Sequence, residues 1–294
     1  MNSRKIGIVG SGVMGQGIAQ TFARNGYSVA IVDVNDEILK NAINSIRNGK
    51  YGLKNLVDKG KLSGDEMERI MSKITTSTDY STLSDSAIAI EAVPEILSLK
   101  KTVFSNIEKN VSEDTIIASN TSGIMIAEMA ENIKVKERIV GMHWFNPAPV
   151  MKLVEIVRSQ MTSDETIQKI SDITREIGKI PVIVADVPGF FTTRFITGWL
   201  LSATRSMENG VSSIKDIDQM VKLAFGFPMG PFELMDIIGL DTVYHISEYL
   251  YSETGDSQYV PPVTLKRMVL SNYTGDRAVK YNSRGGWYDF YGLK

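Results

Sequence analysis

Lys5-Ile6-Gly7-Ile8-Val9 is a short apolar run that passes directly into Gly10-Ser11-Gly12-Val13-Met14-Gly15. Helical spacing follows, with Met14, Ile18, Ala19, Phe22 and Ala23 on one face, and Gly26 closes the segment. A second apolar run, Ser28-Val29-Ala30-Ile31-Val32, ends on Asp33. Strand, glycine turn, helix, strand and acid in this order form a dinucleotide-binding unit. Gly10 permits the tight turn, Gly12 lets the backbone approach a pyrophosphate, and Gly15 lets helix and strand pack closely. The helix N-terminus at Val13 and Met14 offers N–H groups to the anion. Asp33, about twenty residues on, is placed to accept hydrogen bonds from the adenosine ribose. A glycine turn kept only for packing leaves that acid unexplained. The Asp33 carboxylate repels a 2′-phosphate, and Val34-Asn35-Asp36 holds no arginine to receive one. The expected cofactor is therefore NAD rather than NADP.

The chain has 294 residues, enough for two domains of ordinary size. A hydrophobic content of 43% and a charged content of 22% are those of a globular protein. At a net charge of −2 no basic field recruits nucleic acid. No apolar run approaches the roughly 20 residues a membrane helix needs. The N-terminus leads into the first strand with no room for a signal peptide. With no cysteine, disulfides, thiolate nucleophiles and cysteine metal sites are excluded. A cytoplasmic protein without metal, membrane or nucleic-acid partner is expected.

After Asp33 the pattern predicts one long helix from Glu37 to about Val57, then a second from Gly64 to Lys73. This pair is longer than a plain crossover and reads as a projecting helical hairpin. Strand-like runs recur at Ala87–Glu91, Thr115–Ala118, Arg138–Met142, Met151–Val157 and Pro181–Val184. Helical segments lie between most of them, the rhythm of a largely parallel α/β sheet of Rossmann type. Asp186-Val187-Pro188-Gly189 is a natural boundary. Beyond it the pattern is helical, at Thr193–Glu208, Ser213–Phe225, Phe232–Ser252 and Val263–Ser271. The expectation is an α/β domain over residues 1–186 and an all-α domain over 187–294.

Of the two histidines, His143 ends the apolar run Arg138–Met142, so it sits where a strand leaves the sheet. Ligands gather at the carboxyl ends of strands in such sheets. Glu155, twelve residues on, shares a strand face with Leu153 and Val157 and needs a partner if buried. Pro147 and Pro149 turn the loop between them. Histidine beside a carboxylate suits alcohol oxidation: the imidazole takes the hydroxyl proton while the carboxylate fixes its tautomer. A purely structural His–Glu pair is the competing reading. His245, inside an amphipathic helix, reads as structural. Asn120 and Ser122 follow the strand at Thr115–Ala118, where Ser122 serves either a ligand or the N-cap of the next helix. Glu95 and Lys100 follow Ala87–Glu91 and face the same crevice; as an exposed pair they would mean little.

These residues resemble the short-chain 3-hydroxyacyl-CoA dehydrogenase family, nearest its bacterial 3-hydroxybutyryl-CoA type. The similarity is carried by Gly10 to Gln20, Ser119-Asn120-Thr121-Ser122 and the run His143 to Glu155. Pro188-Gly189-Phe190, Pro228-Met229-Gly230-Pro231, Asp236 and Gly239-Leu240-Asp241 extend it through the second half. The resemblance implies reversible, NAD-linked oxidation of a (3S)-3-hydroxyacyl-CoA, and a homodimer formed through the helical domain. It implies His143 as catalytic base, Glu155 as its partner and Ser122 beside substrate and nicotinamide. Asp33, Glu95, Lys100 and Asn120 become cofactor contacts; Asn146, Lys50 and Lys54 become substrate contacts. Arg47, Lys59 and Lys61 are further basic candidates on the hairpin for the CoA phosphates, against the plainer reading of a solvated helix face.

Two positions depart from the family pattern. Thr193 stands where the family has an active-site Asn, and its hydroxyl is shorter and lacks the amide's paired donor and acceptor. The tail Lys280-Tyr281-Asn282-Ser283-Arg284-Gly285-Gly286-Trp287-Tyr288 is two residues longer than the family's, which bears on whether Lys280 reaches the cofactor. Thr193 keeps open an NAD-dependent dehydrogenase of the same fold acting on a non-CoA hydroxy acid. A non-enzymatic NAD-binding protein is the remaining reading, and the intact constellation speaks against it.

Overall fold

The computed structural model describes residues 4–275 and 283–293. It divides into two compact units, Met1–Val187 and Pro188–Lys294. The first holds eight strands: β1 (Lys5–Val9), β2 (Ser28–Val32), β3 (Ile74–Ser77), β4 (Ile88–Glu91), β5 (Ile116–Ser119), β6 (Ile139–Trp144), β7 (Leu153–Arg158) and β8 (Ile180–Ala185). Their order in the sheet is β3-β2-β1-β4-β5-β6-β7-β8. All neighbours are parallel except β6 and β7. Strand order reverses between β1 and β4, so a crevice opens at the carboxyl end of β1, where the Gly10–Gly15 turn lies. The central strands are aliphatic on both faces because helices cover both, as parallel sheets require.

Seven helices accompany the sheet among the described residues: α1 (Val13–Arg24), α2 (Asp36–Asn48), α3 (Leu53–Asp58), α4 (Gly64–Met71), α5 (Leu97–Asn110), α6 (Ile126–Met129) and α7 (Asp164–Glu176). The single helix expected from Glu37 to Val57 is in fact two. The chain turns at Gly49–Gly52, where a Cβ on Gly52 would sit 2.8 Å from the Arg47 carbonyl oxygen. Asn35 caps α2 by accepting from Ile38 N at 2.9 Å, and Ser63 and Glu66 form a capping box on α4. Leu39, Ala42, Ile46, Leu53 and Met71 bury this insertion's inner face. The edge strand β3 has no counterpart in the sequence reading. It pairs on one side only and exposes Thr75 and Thr76, so it carries no apolar run to betray it.

The second unit is helical, with α8 (Thr192–Glu208), α9 (Ile214–Phe225), α10 (Pro231–Ile238), α11 (Leu240–Thr254), α12 (Val263–Leu270) and α13 (Trp287–Phe290). The helix expected from Phe232 to Ser252 is broken at Gly239, whose φ of 102° lies outside the helical region. Leu200, Leu201, Phe232, Met235, Leu265 and Trp287 form its core. Two buried carboxylates organise it. Asp218 accepts from Phe232 N (2.8 Å), Glu233 N (2.9 Å) and the Tyr288 hydroxyl (2.8 Å), and Asp236 accepts from Trp287 N (2.6 Å). Burial pushes the Asp218 carboxyl up, and these donors oppose the shift. No helix among the described residues is long and apolar enough to cross a membrane.

Candidate active site

The glycine turn is a cradle with one open side. Gly10 adopts φ +101°, and a Cβ there would lie 2.6 Å from the Ala92 carbonyl oxygen. A Cβ on Gly15 would lie 1.9 Å from the Gly10 carbonyl oxygen, so this position fixes the approach of α1 to β1. Gly12 differs: no atom lies within 4 Å of where its Cβ would be. Gly12 is also the N-cap of α1, without a side-chain cap and without an acid in the first turn. The first N–H groups of α1, at Val13 and Met14, therefore sit at an anion-favouring helix end next to open space. Asp33 is fastened to the same turn. Its Oδ2 accepts from Ser11 N at 2.7 Å and Ser11 Oγ at 2.6 Å, and its Oδ1 from Val34 N at 2.7 Å. Open space at Gly12, bare N–H groups and a carboxylate at the strand end together fit a dinucleotide.

The glycines separate two roles that a variant pair will resolve. Gly15→Ala is expected to lower the melting temperature sharply, because backbone must move. Gly12→Ala is expected to keep the melting temperature and weaken NADH binding. Thermal melts beside fluorescence titration check both; equal behaviour of the two variants would contradict the cradle.

His143 and Glu155 lie directly opposite each other on the antiparallel strands β6 and β7. His143 Nδ1 is 2.7 Å from Glu155 Oε2, with the residues 5% and 1% exposed. Phe145 packs against the imidazole, ring centroids 4.5 Å apart. The sequence reading put His143 just beyond its strand; it belongs to β6, and strand register makes the pair. Asn120, at the end of β5, accepts from Trp144 N at 3.0 Å through Oδ1 and ties the two strand ends together.

Lys100 and Glu95 do pair, but the lysine is buried, so the reading of a merely exposed pair does not hold. Lys100 is 1% exposed, and its ammonium reaches Glu91 Oε1 (2.9 Å), Glu91 Oε2 (3.1 Å), Glu95 Oε2 (3.0 Å) and the Val93 carbonyl (3.3 Å). Burial works against its charge, but Glu91 and Glu95 outweigh it and hold the lysine above its ordinary pKa. With its donors engaged this way, Lys100 holds Glu91 and Glu95 together. Glu95 Oε1 in turn accepts from Ser122 N at 2.9 Å and from the Thr121 hydroxyl. Glu91, wholly buried, also receives Ser119 Oγ (2.5 Å) and Val93 N (2.7 Å). Sequence reasoning missed Glu91; the signal was an acid ending an otherwise aliphatic strand.

Ser122 does not cap the next helix, because α6 begins later with Met125 at its N-cap. Thr121 Oγ1 accepts instead from Gly123 N and Ile124 N, and the Ser122 hydroxyl has no hydrogen bond among the described residues. Asn146 is exposed in the loop after β6. Among the hairpin bases Arg47 is paired with both oxygens of Glu68. Lys54, Lys59 and Lys61 are exposed, as is Lys50, which lies over the Tyr51 ring at 5.6 Å. Thr193 is 8% exposed in the first turn of α8, in the second unit. His245 is exposed on α11, 3.6 Å from Glu248. Lys280 lies outside the described residues. No group of three metal-ligating side chains occurs among the described residues.

A doubly wound sheet with a dinucleotide cradle, and with a buried histidine–carboxylate pair on the same sheet, defines a nicotinamide-dependent oxidoreductase. Comparison with known proteins makes this specific. The model of the 3-hydroxyacyl-CoA dehydrogenase NAD-binding domain matches residues 5–187, and that of the C-terminal domain matches 189–283. The chain belongs to the 3-hydroxyacyl-CoA dehydrogenase family, and its cofactor is NAD. It is 37% identical over 286 residues to the 3-hydroxybutyryl-CoA dehydrogenase of Clostridioides difficile, covering 97% of this chain and 99% of that one. It is 36% identical to the human mitochondrial hydroxyacyl-coenzyme A dehydrogenase, covering 93% and 88%. Among solved structures, the (S)-3-hydroxybutyryl-CoA dehydrogenase of Ralstonia eutropha aligns with a TM-score of 0.89 at 37% identity, over 93% and 96% of the two chains.

Proposed function

We propose that the protein catalyses the reversible NAD-dependent oxidation of a short-chain (3S)-3-hydroxyacyl-CoA to the 3-oxoacyl-CoA, with His143 as the proton acceptor. The observation that carries the residue assignment is the buried 2.7 Å contact between His143 Nδ1 and Glu155 Oε2. NAD, when bound, supplies the hydride acceptor. The Gly10–Gly15 turn and the first N–H groups of α1 hold its pyrophosphate, and Asp33 holds the adenosine ribose. With Nδ1 committed to Glu155, the hydroxyl proton of the substrate passes to Nε2. Glu155 then stabilises the imidazolium, which returns the proton when the reaction runs backwards. Ser122, held at its amide by Glu95, presents its hydroxyl to the substrate oxygen. Asn120 lines the cofactor side, Asn146 contacts the acyl-CoA, and Lys50 and Lys54 meet the CoA phosphates. The relatives named 3-hydroxybutyryl-CoA dehydrogenase support the short chain. A steady-state panel of 3-oxoacyl-CoA chain lengths with NADH tests the assignment; no turnover at any length would defeat it.

Asp33 predicts the nucleotide preference. NADH is expected to be turned over faster than NADPH at equal concentration, and Asp33→Ser with a nearby arginine should erode that preference. Thr193 carries the third expectation. Its hydroxyl is assigned to the substrate's 3-oxygen, a hydrogen bond worth about 0.5–1.5 kcal/mol net. Thr193→Val should lower kcat/KM on acetoacetyl-CoA, and Thr193→Asn should hold or raise it. A parent-like Thr193→Val makes Thr193 a packing residue. The same substitution favours a second reading, a non-CoA hydroxy acid as substrate, which faster turnover of free 3-oxo acids than of acetoacetyl-CoA would establish.

A cytoplasmic homodimer completes the proposal. Val211, Leu223, Phe225 and Leu270 leave apolar side chains exposed on the second unit, which supports pairing there. NAD and acyl-CoA are phosphate esters that membranes retain inside cells, which supports the location. Sedimentation velocity and cell fractionation check these two points.

A further inference from the structure

A groove of about 310 Å³ opens in the first unit between the last turn of α1, the loop joining β6 to β7, and the segment joining α7 to β8. Its lining includes Arg24, Asn25, Pro149, Lys152, Gly178 and Lys179. Three of these are cations, and none has an acidic partner among the described residues. The nearby acid Glu176 is engaged elsewhere, with Arg4 at 2.5 Å and the Tyr27 hydroxyl at 2.8 Å. Lys179 is only 7% exposed, and its Nζ donates to the carbonyls of Ala148 and Met151, each at 2.6 Å. An ammonium has three donors, so one remains without an oxygen acceptor among the described residues, where the ammonium's other contact is the Trp144 ring, 5.9 Å to its centroid. Burial, and secondarily the charge of Arg24, hold this lysine below its ordinary pKa, which places Arg24 within electrostatic reach of it.

The local charge does not balance. α1 and α7 both end beside the groove, at the caps Asn25 and Ile177. Each helix end supplies roughly half a negative charge. Three cations against two such ends leave a net positive concavity, and a buried lysine is a costly thing to place there without a counter-charge. We infer that this groove is an anion site for a phosphoryl group, held by Arg24, Lys152 and Lys179. The guanidinium supplies a planar fork for two phosphate oxygens, and the two ammonium groups supply point charges. The carbonyls that Lys179 holds belong to the loop between His143 and Glu155, so an anion seated here rests on the connection between those two strands.

The test is calorimetric titration of the NADH-saturated protein with inorganic diphosphate, NADH being present to occupy the Gly10–Gly15 turn. Saturable binding that weakens with added salt is expected. Arg24→Gln and Lys152→Gln, at exposed positions that keep the fold, should each weaken it about tenfold, and the double variant should abolish it. Because Lys179→Gln risks the fold, the two exposed variants decide the matter. Absence of binding, or affinity unchanged in both variants, overturns the site. Repeating the titration with saturating free CoA separates the sources. Displacement assigns the groove to the phosphates of CoA, and undiminished binding assigns it to a free phosphate ligand; both retain the phosphoryl site.

Discussion

Replacing His143 by Gln is expected to lower kcat by roughly 10²–10⁴-fold, the usual contribution of a positioned general base, while NADH binding stays nearly normal. Glutamine keeps a hydrogen-bonding side chain opposite Glu155 but takes up no proton at neutral pH. Glu155→Gln is expected to cost most of the rate as well. The amide accepts from Nδ1–H as the carboxylate does, but it brings no negative charge to the imidazolium that forms, and its own N–H₂ competes to select the wrong tautomer. Single-turnover rates beside NADH fluorescence titration separate the chemistry from binding, and thermal melts confirm folding. Near-normal rates in either variant would remove the pair as the catalytic unit, whatever its burial.

The second large effect concerns stability. Lys100→Met leaves the wholly buried Glu91 without its cation, and breaking a buried pair from one side costs about 3–5 kcal/mol. Glu91→Leu in the same protein should restore much of that loss, because two apolar groups replace two charges. Denaturant melts of the single and double variants measure this; a single-variant loss below about 1 kcal/mol would show that Glu91 is satisfied by Ser119 and Val93 alone. The lysine's pKa is raised in the folded state, so its contribution is complete below the ordinary lysine range. It is lost only as pH climbs beyond about 10.4 and through the raised value, which leaves it intact at neutral pH. Lys100→Met should also disturb activity, since Glu95 then loses the ammonium that holds it against Ser122 N.

How much of this was legible depends on the range of the interactions. The nucleotide cradle was, because turn, helix start and strand end are neighbours in the chain and their glycines answer to local backbone sterics. Gly12 and Gly15 look alike as letters. That one faces open space while the other meets a carbonyl oxygen is a matter of packing. Helix bounds were legible to within a residue or two where caps mark them, as at Ser213 and Gly226 around α9. They failed at Gly49–Gly52 and at Gly239, where apolar spacing runs on through a turn.

His143 and Glu155 were found as candidates by the strand on which each falls, and their chemistry by residue type. Their facing positions are another matter. They follow from the antiparallel register of β6 and β7, in which a slip of one residue would send Glu155 to the opposite face. The Glu91–Lys100–Glu95–Ser122 chain lay further out of reach. Its members are spread over 32 positions from Glu91 to Ser122, on β4, α5 and two loops, and they meet through the pairing of β4 with β5 and the packing of α5 beside them. The sequence by itself determined the fold class, the cofactor cradle and the residue types that do proton chemistry, because periodicity, turn sterics and side-chain chemistry act over a few residues. The tertiary structure alone decided which charges are buried together, which glycine leaves room for a ligand and which lysines lack a counter-ion, because those depend on neighbours that the chain supplies from far away.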